Sequence, residues 1–179
     1  MKTHLQKITY QKGFTLIETL FAILIFSAAL VSLLAIAGKG IVATGQVKNE
    51  TVAFYLAQEG IEVARNFRDS NFVAEEAWDL GFASTPDCSI AMGCYLDFSN
   101  GGVPLLVENH GADEVFFNLG MYTNQNQGGT PTGFHRYVRL VPIANGGTPD
   151  EYTVTSTVWW QSRGVKRKVE LTTLMKKWQ

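Results

Sequence analysis

Lys12-Gly13-Phe14-Thr15-Leu16-Ile17-Glu18 runs directly into TLFAILIFSAALVSLLAIAG, residues 19–38, and the reading of this junction decides the fold. Thr19 to Gly38 is a run of twenty residues without Asp, Glu, Lys, Arg or His. At 1.5 Å per helical residue it spans roughly 30 Å, the thickness of a bilayer's hydrocarbon core. Lys2, Lys7 and Lys12 precede it and no acidic residue lies upstream of Glu18. The positive-inside bias therefore keeps the first thirteen residues in the cytoplasm and sends the rest outward. This run also accounts for the composition. Charged residues make up only 17% of the 179-residue chain although 46% of it is hydrophobic, and the formal net charge is −1. Soluble domains carry about 25% charged residues.

Glu18 is the anomaly. A carboxylate at the start of an apolar span costs on the order of a few kcal/mol unless it finds a partner. A plain membrane anchor leaves it unexplained. So does an ordinary secretory signal with Ala35-Ile36-Ala37 as its cleavage site, cut after Ala37, which would release a secreted or membrane-anchored binding domain.

The seven residues 12–18 resemble the prepilin leader of type IV pilins and type II secretion pseudopilins: a short basic leader, a glycine, then Phe-Thr-Leu-Ile-Glu opening a long apolar helix. The resemblance implies that prepilin peptidase cuts between Gly13 and Phe14 and methylates the new amino group on Phe14. It implies that Glu18 pairs with the Phe14 amine of a neighbouring subunit during assembly. A glycine before the cut suits close approach to an extended backbone, since it lacks a Cβ. A carboxylate one turn into the mature helix is favoured by the helix dipole, and a dipole role without any neighbour is the plainer alternative. The partners implied are prepilin peptidase, other pilin or pseudopilin subunits, an inner-membrane assembly platform and the lipid bilayer. The implied location is the bacterial inner membrane, with an extracytoplasmic head that later joins a pilus or pseudopilus.

Beyond Lys39 the helical pattern continues to about Asn71. Ala53, Leu56, Ala57, Gly60, Ala64 and Phe67 follow the spacing of one helix face, and Gln58, Glu59, Glu62, Arg65 and Arg68 take the others. Gly38, Gly40 and Gly45 place a soft point, or a close packing surface, just beyond the apolar run. Residues 72–133 read as an irregular variable region rich in Gly, Asn and Asp, with short apolar runs at Val103–Val107 and Val115–Leu119. Within it Cys88 and Cys94 bracket a short loop. Two cysteines this close in an extracytoplasmic domain are expected to form a disulfide. Residues 134–179 read as an antiparallel meander, with strict alternation in Tyr152, Val154, Ser156, Val158, Trp160 and again from Val165 to Met175. The closing stretch, with the helix segment YLAQEGIEVARNFRDSN, resembles minor pilins of the PilV kind.

The expected architecture is α+β, a pilin fold. Residues 1–13 form a cleaved leader, 14–38 a transmembrane or filament-core helix, 39–71 its amphipathic continuation, and one face of a C-terminal antiparallel sheet covers that continuation. No catalytic residue, cofactor or metal is expected. The chain shows no nucleophile elbow or phosphate loop, and His110 and His135 lack ligand spacing to the cysteines. Arg163, Lys166, Arg167, Lys168, Lys176 and Lys177 invite a reading as a DNA-contacting patch. Alternation splits Lys166 and Lys168 from Arg167, however, and lysines commonly guard an edge strand, so nucleic acid is not the expected partner. Loss of residues 1–13 removes three lysines, leaving 12 basic and 16 acidic side chains and a mature charge of −4.

Overall fold

The computed structural model describes residues 13–82, 88, 93–98, 104–108, 113–143 and 149–177. The expected leader up to Lys12, together with His110, lies outside the described residues. Among the described residues one helix, α1 (Leu16–Val73), is followed by seven strands: β1 (Cys94–Phe98), β2 (Pro104–Glu108), β3 (Glu114–Asn118), β4 (Met121–Thr123), β5 (Thr130–Ile143), β6 (Glu151–Ser162) and β7 (Val165–Lys176). All pair antiparallel in one sheet. The protein is therefore α+β, a long N-terminal helix followed by an antiparallel sheet.

The chain divides into two compact units, residues 1–45 and 46–179. In the first, α1 starts where the Thr15 carbonyl accepts the Glu18 and Thr19 amides at 3.1 and 3.3 Å. The helix runs unbroken through Gly38, Gly40 and Gly45. Its apolar side chains from Leu16 to Ile36 are exposed. The hydroxyls of Thr19, Ser27 and Ser32 donate to the carbonyls of Leu16, Leu24 and Ala28 at 2.8–2.9 Å, so the polar groups of the run are satisfied within the helix itself. A segment surrounded by hydrocarbon needs this internal satisfaction.

In the second unit, the amphipathic part of α1 lies on the sheet. Ala53, Leu56, Ala57, Gly60, Ile61, Val63 and Ala64 are buried, which is the face that the spacing predicts together with Ile61 and Val63. Two apolar clusters result. One joins Ala53, Leu56 and Ala57 to Val115, Val158 and Trp160. The other joins Val63 and Ala64 to Trp78, Phe82, Val138, Leu140, Tyr152, Val154 and Met175. Helix and sheet meet closely at Gly60, where a Cβ would come within 2.5 Å of the Ser156 hydroxyl and 3.2 Å of a Val138 methyl. Past Val73 the chain doubles back, and the Asn71 amide donates to the carbonyls of Trp78 and Leu80, seating Trp78 and Phe82 under the sheet.

Strand β5 organises the sheet. It pairs with β6 along Phe134–Ile143, while its other edge takes β3 at Thr130–His135 and β1 at Val138. The β5–β6–β7 meander follows the alternation in the sequence: Tyr152, Val154, Ser156, Val158 and Trp160 all point inward. The reading of 72–133 as irregular needs correction, because β1 to β4 lie within it. These strands run three to five residues, too short to display a two-residue period, and their apolar residues sit beside one another, as in Phe116-Phe117. The meander also starts earlier than residue 134, since β5 begins at Thr130.

Candidate functional site

The N-terminal segment is built from three features. Gly13 and Phe14 precede the helix, and Phe14 is 81% exposed, so the bond between them lies open. A Cβ added at Gly13 would meet nothing within 4 Å. No packing among the described residues demands glycine there. Glu18 is exposed in the first turn of α1, where the positive end of the helix dipole favours a carboxylate. Among the described residues its side chain has no hydrogen-bond or ionic partner. Beyond it, α1 is long and apolar enough to cross a membrane.

The second unit carries a buried polar network that the sequence reading missed. Arg136 is fully buried beneath β5. Its guanidinium donates to Asn124 Oδ1 at 3.0 and 3.2 Å, to the Leu56 carbonyl at 3.4 Å, and lies 3.2 Å from Glu59. Asn124 in turn donates its backbone amide to buried Asp97 at 2.6 Å. Burial pushes the Glu59 carboxyl above its usual range, Asp97 pushes it the same way, and the Arg136 charge opposes both without prevailing. The detectable signal was Arg136 itself, a cation at an inward position between Phe134 and Val138 in a strand whose alternation is otherwise apolar. Nearby, Tyr152 donates to Asp79 at 3.2 Å, and burial followed by the Asp79 charge holds its phenol up to about 12. The network ties helix to sheet.

Cys88 and Cys94 are joined in a disulfide, with Cα atoms 4.7 Å apart and both residues buried. His135 bonds through Nδ1 to Asp113 at 2.9 Å and stacks on Trp159, whose indole donates to the same carboxylate. Among the described residues no group of three or more His, Cys, Asp and Glu is arranged to hold a metal. The basic residues of the C-terminal hairpin do not form one face. Lys166 lies over the Trp159 ring, Lys168 pairs with Glu170, Lys176 pairs with Glu151, and Arg167 occupies the opposite face of β7. Strand β7 pairs with β6 alone among the described residues, so these lysines do sit on an edge.

Residues 8–34 match the family model for the prokaryotic N-terminal methylation motif. The chain thus carries a prepilin-type N-terminus, consistent with a member of the type IV pilin and pseudopilin family. The motif and the apolar helix after it fit an inner-membrane-anchored, pilin-like chain of the kind processed by prepilin peptidase and assembled with other pilin subunits. No curated protein and no solved structure matches the chain significantly.

Proposed function

We propose that this protein is a minor subunit of a type IV pilus or type II secretion-like filament, cut between Gly13 and Phe14, N-methylated on Phe14, and polymerised through the N-terminal half of α1. Its role is structural, with no catalytic chemistry of its own. The observation that carries this reading is the methylation motif at residues 8–34 joined to an uncharged helical run whose side chains remain exposed. Such a surface is costly in water and becomes favourable in a bilayer or a filament core.

Glu18 then has a task. After the cut, the Phe14 amine and the Glu18 carboxylate are opposite charges one helical turn apart in sequence. In a low-dielectric filament core, pairing Glu18 with the amine of the adjacent subunit neutralises both and selects one register. The inner-membrane assembly platform would draw subunits from the bilayer into the filament. A secretory signal cut after Ala37 is disfavoured by the helix, which runs continuously through Ala35-Ile36-Ala37.

Intact mass and N-terminal analysis of the mature protein test the proposal. A chain of 166 residues starting at methylated Phe14 is expected. A chain starting at Gly38 would overturn it.

A further inference from the structure

Two hairpins of the second unit break the usual rules for their turns. The β3–β4 hairpin turns on Leu119-Gly120 between paired Asn118 and Met121, and the β6–β7 hairpin turns on Arg163-Gly164 between paired Ser162 and Val165. Both turns have positive φ at both central residues: 49° and 86° in the first, 53° and 78° in the second. Mirror-image turns of this kind favour Asn-Gly, Asp-Gly or Gly-Gly. Leucine and arginine are strained in the left-handed region and gain nothing locally from being there. Leu119 is in addition 92% exposed, and Met121 and Val165 are also exposed beside the turns.

Both tips lie at the same end of the unit. Val115 in β3 and Trp160 in β6 pack with Ala53, Leu56 and Ala57 of α1, and each strand then runs on past that layer to its turn. This is the end at which α1 enters the unit from the apolar run. One tip carries the exposed apolar apex Leu119, and the other hairpin carries exposed Arg163, Lys166, Arg167 and Lys168, of which Arg163 and Arg167 have no ionic partner among the described residues. Guarding an edge strand accounts for lysines along β7. It does not account for strained Leu119 and Arg163 at two apexes on one end.

We infer that these two hairpin tips dock on the anionic phospholipid headgroups of the bilayer that holds the apolar helix, with Leu119 and Met121 entering the interface and Arg163 and Arg167 reaching the lipid phosphates. An apolar tip and a cationic tip at one end suit that boundary, where each meets its preferred surroundings. The bilayer is also close by covalent connection. From Gly38 to Gln46 the helix covers only ~12 Å, so the tethered head meets the lipid surface at high effective concentration. The inference rests on the membrane-anchored reading above. It concerns the subunit before assembly, when docking would hold the head against the membrane until extraction.

The test uses the full chain reconstituted in vesicles of phosphatidylcholine, with or without phosphatidylglycerol, carrying a fluorophore on Leu119→Cys, Val73→Cys or Leu30→Cys. The quencher is a nitroxide placed on the lipid headgroup or deep in the acyl chain. Docking predicts headgroup quenching at position 119 that requires the anionic lipid, with none at position 73. Arg163→Gln and Arg167→Gln should each lower the docked-to-free ratio roughly fivefold. With the label moved to Met121→Cys, adding Leu119→Asn should raise the thermal midpoint by relieving strain and yet weaken quenching; a purely structural tip would show only the first effect. Equal signals at 119 and 73 in anionic vesicles, with position 30 quenched by deep nitroxides, would overturn docking and leave the anchor intact. An unquenched position 30 would overturn both. If the neutralising substitutions change only a salt-dependent affinity for duplex DNA, the patch serves nucleic acid and the docking inference is wrong.

Discussion

Glu59 shows how one side chain reports the balance inside the head. Its carboxyl is raised because burial outweighs the attraction of Arg136. A carboxyl that binds its proton more tightly in the folded state stabilises the fold as pH falls. The unfolded group titrates near 4.5, so the gain develops as pH drops from the raised folded value toward 4.5, and it is absent above that window. Thermal midpoints of wild type and Glu59→Gln should therefore diverge in favour of wild type on acidification through this range. Parallel profiles would show that Arg136 fully compensates the burial. Arg136 itself has little freedom, since removing it would strand the Asn124 side-chain oxygen and Glu59 in partly dry surroundings.

At the scale of elements, the contact of α1 with the sheet depends on Gly60. The Cβ of an alanine there would meet Ser156 and Val138 from the central strands, and neither β6 nor β5 can retreat without disturbing its ladder. Gly60→Ala should destabilise the head by about 1–3 kcal/mol through overpacking, despite the helix propensity that alanine adds. Denaturant melts would read this as a lower midpoint at unchanged slope. An unchanged or higher midpoint would mean the helix can lift off the sheet at little cost. Gly38, Gly40 and Gly45 differ, because an added Cβ at each meets nothing within 4 Å. No packing among the described residues explains them, and close approach of neighbouring helices would. The disulfide between Cys88 and Cys94 ties the segment before β1 to the strand that joins β5.

At the scale of the molecule, the two units divide the work. The first has almost no buried side chains, and the second contains both apolar clusters. Assembly through the first unit predicts that Glu18→Ala leaves the head's thermal midpoint unchanged, since both apolar clusters lie in the second unit, while filament yield falls severely. Pelleting and electron microscopy of filaments beside a melting curve would check both halves. Normal filaments from Glu18→Ala protein would remove the register role and leave only a helix-dipole role.

Much of this was legible in the chain order of residues. A twenty-residue uncharged run has one regular way to satisfy its backbone without water, so the helix and its apolar surface followed from composition. The motif from Lys12 to Glu18 was equally local. The buried face of α1 and the β6–β7 alternation were readable because a regular period survives over many residues. Strands β1 to β4 were not, because three to five residues carry too little period to separate a strand from a loop. The partners of Arg136 were also hidden, since Leu56, Glu59 and Asn124 are scattered along the chain and meet only when the helix lies on the sheet. The hairpin tips are of the same kind. Nothing in the sequence marks Leu119 or Arg163 as a turn residue, and only the pairing of Asn118 with Met121 and of Ser162 with Val165 forces them into left-handed turns at a common end. Local chemistry set the apolar run and its processing signal, and long-range contact decided which charges are buried and which residues take the left-handed turns.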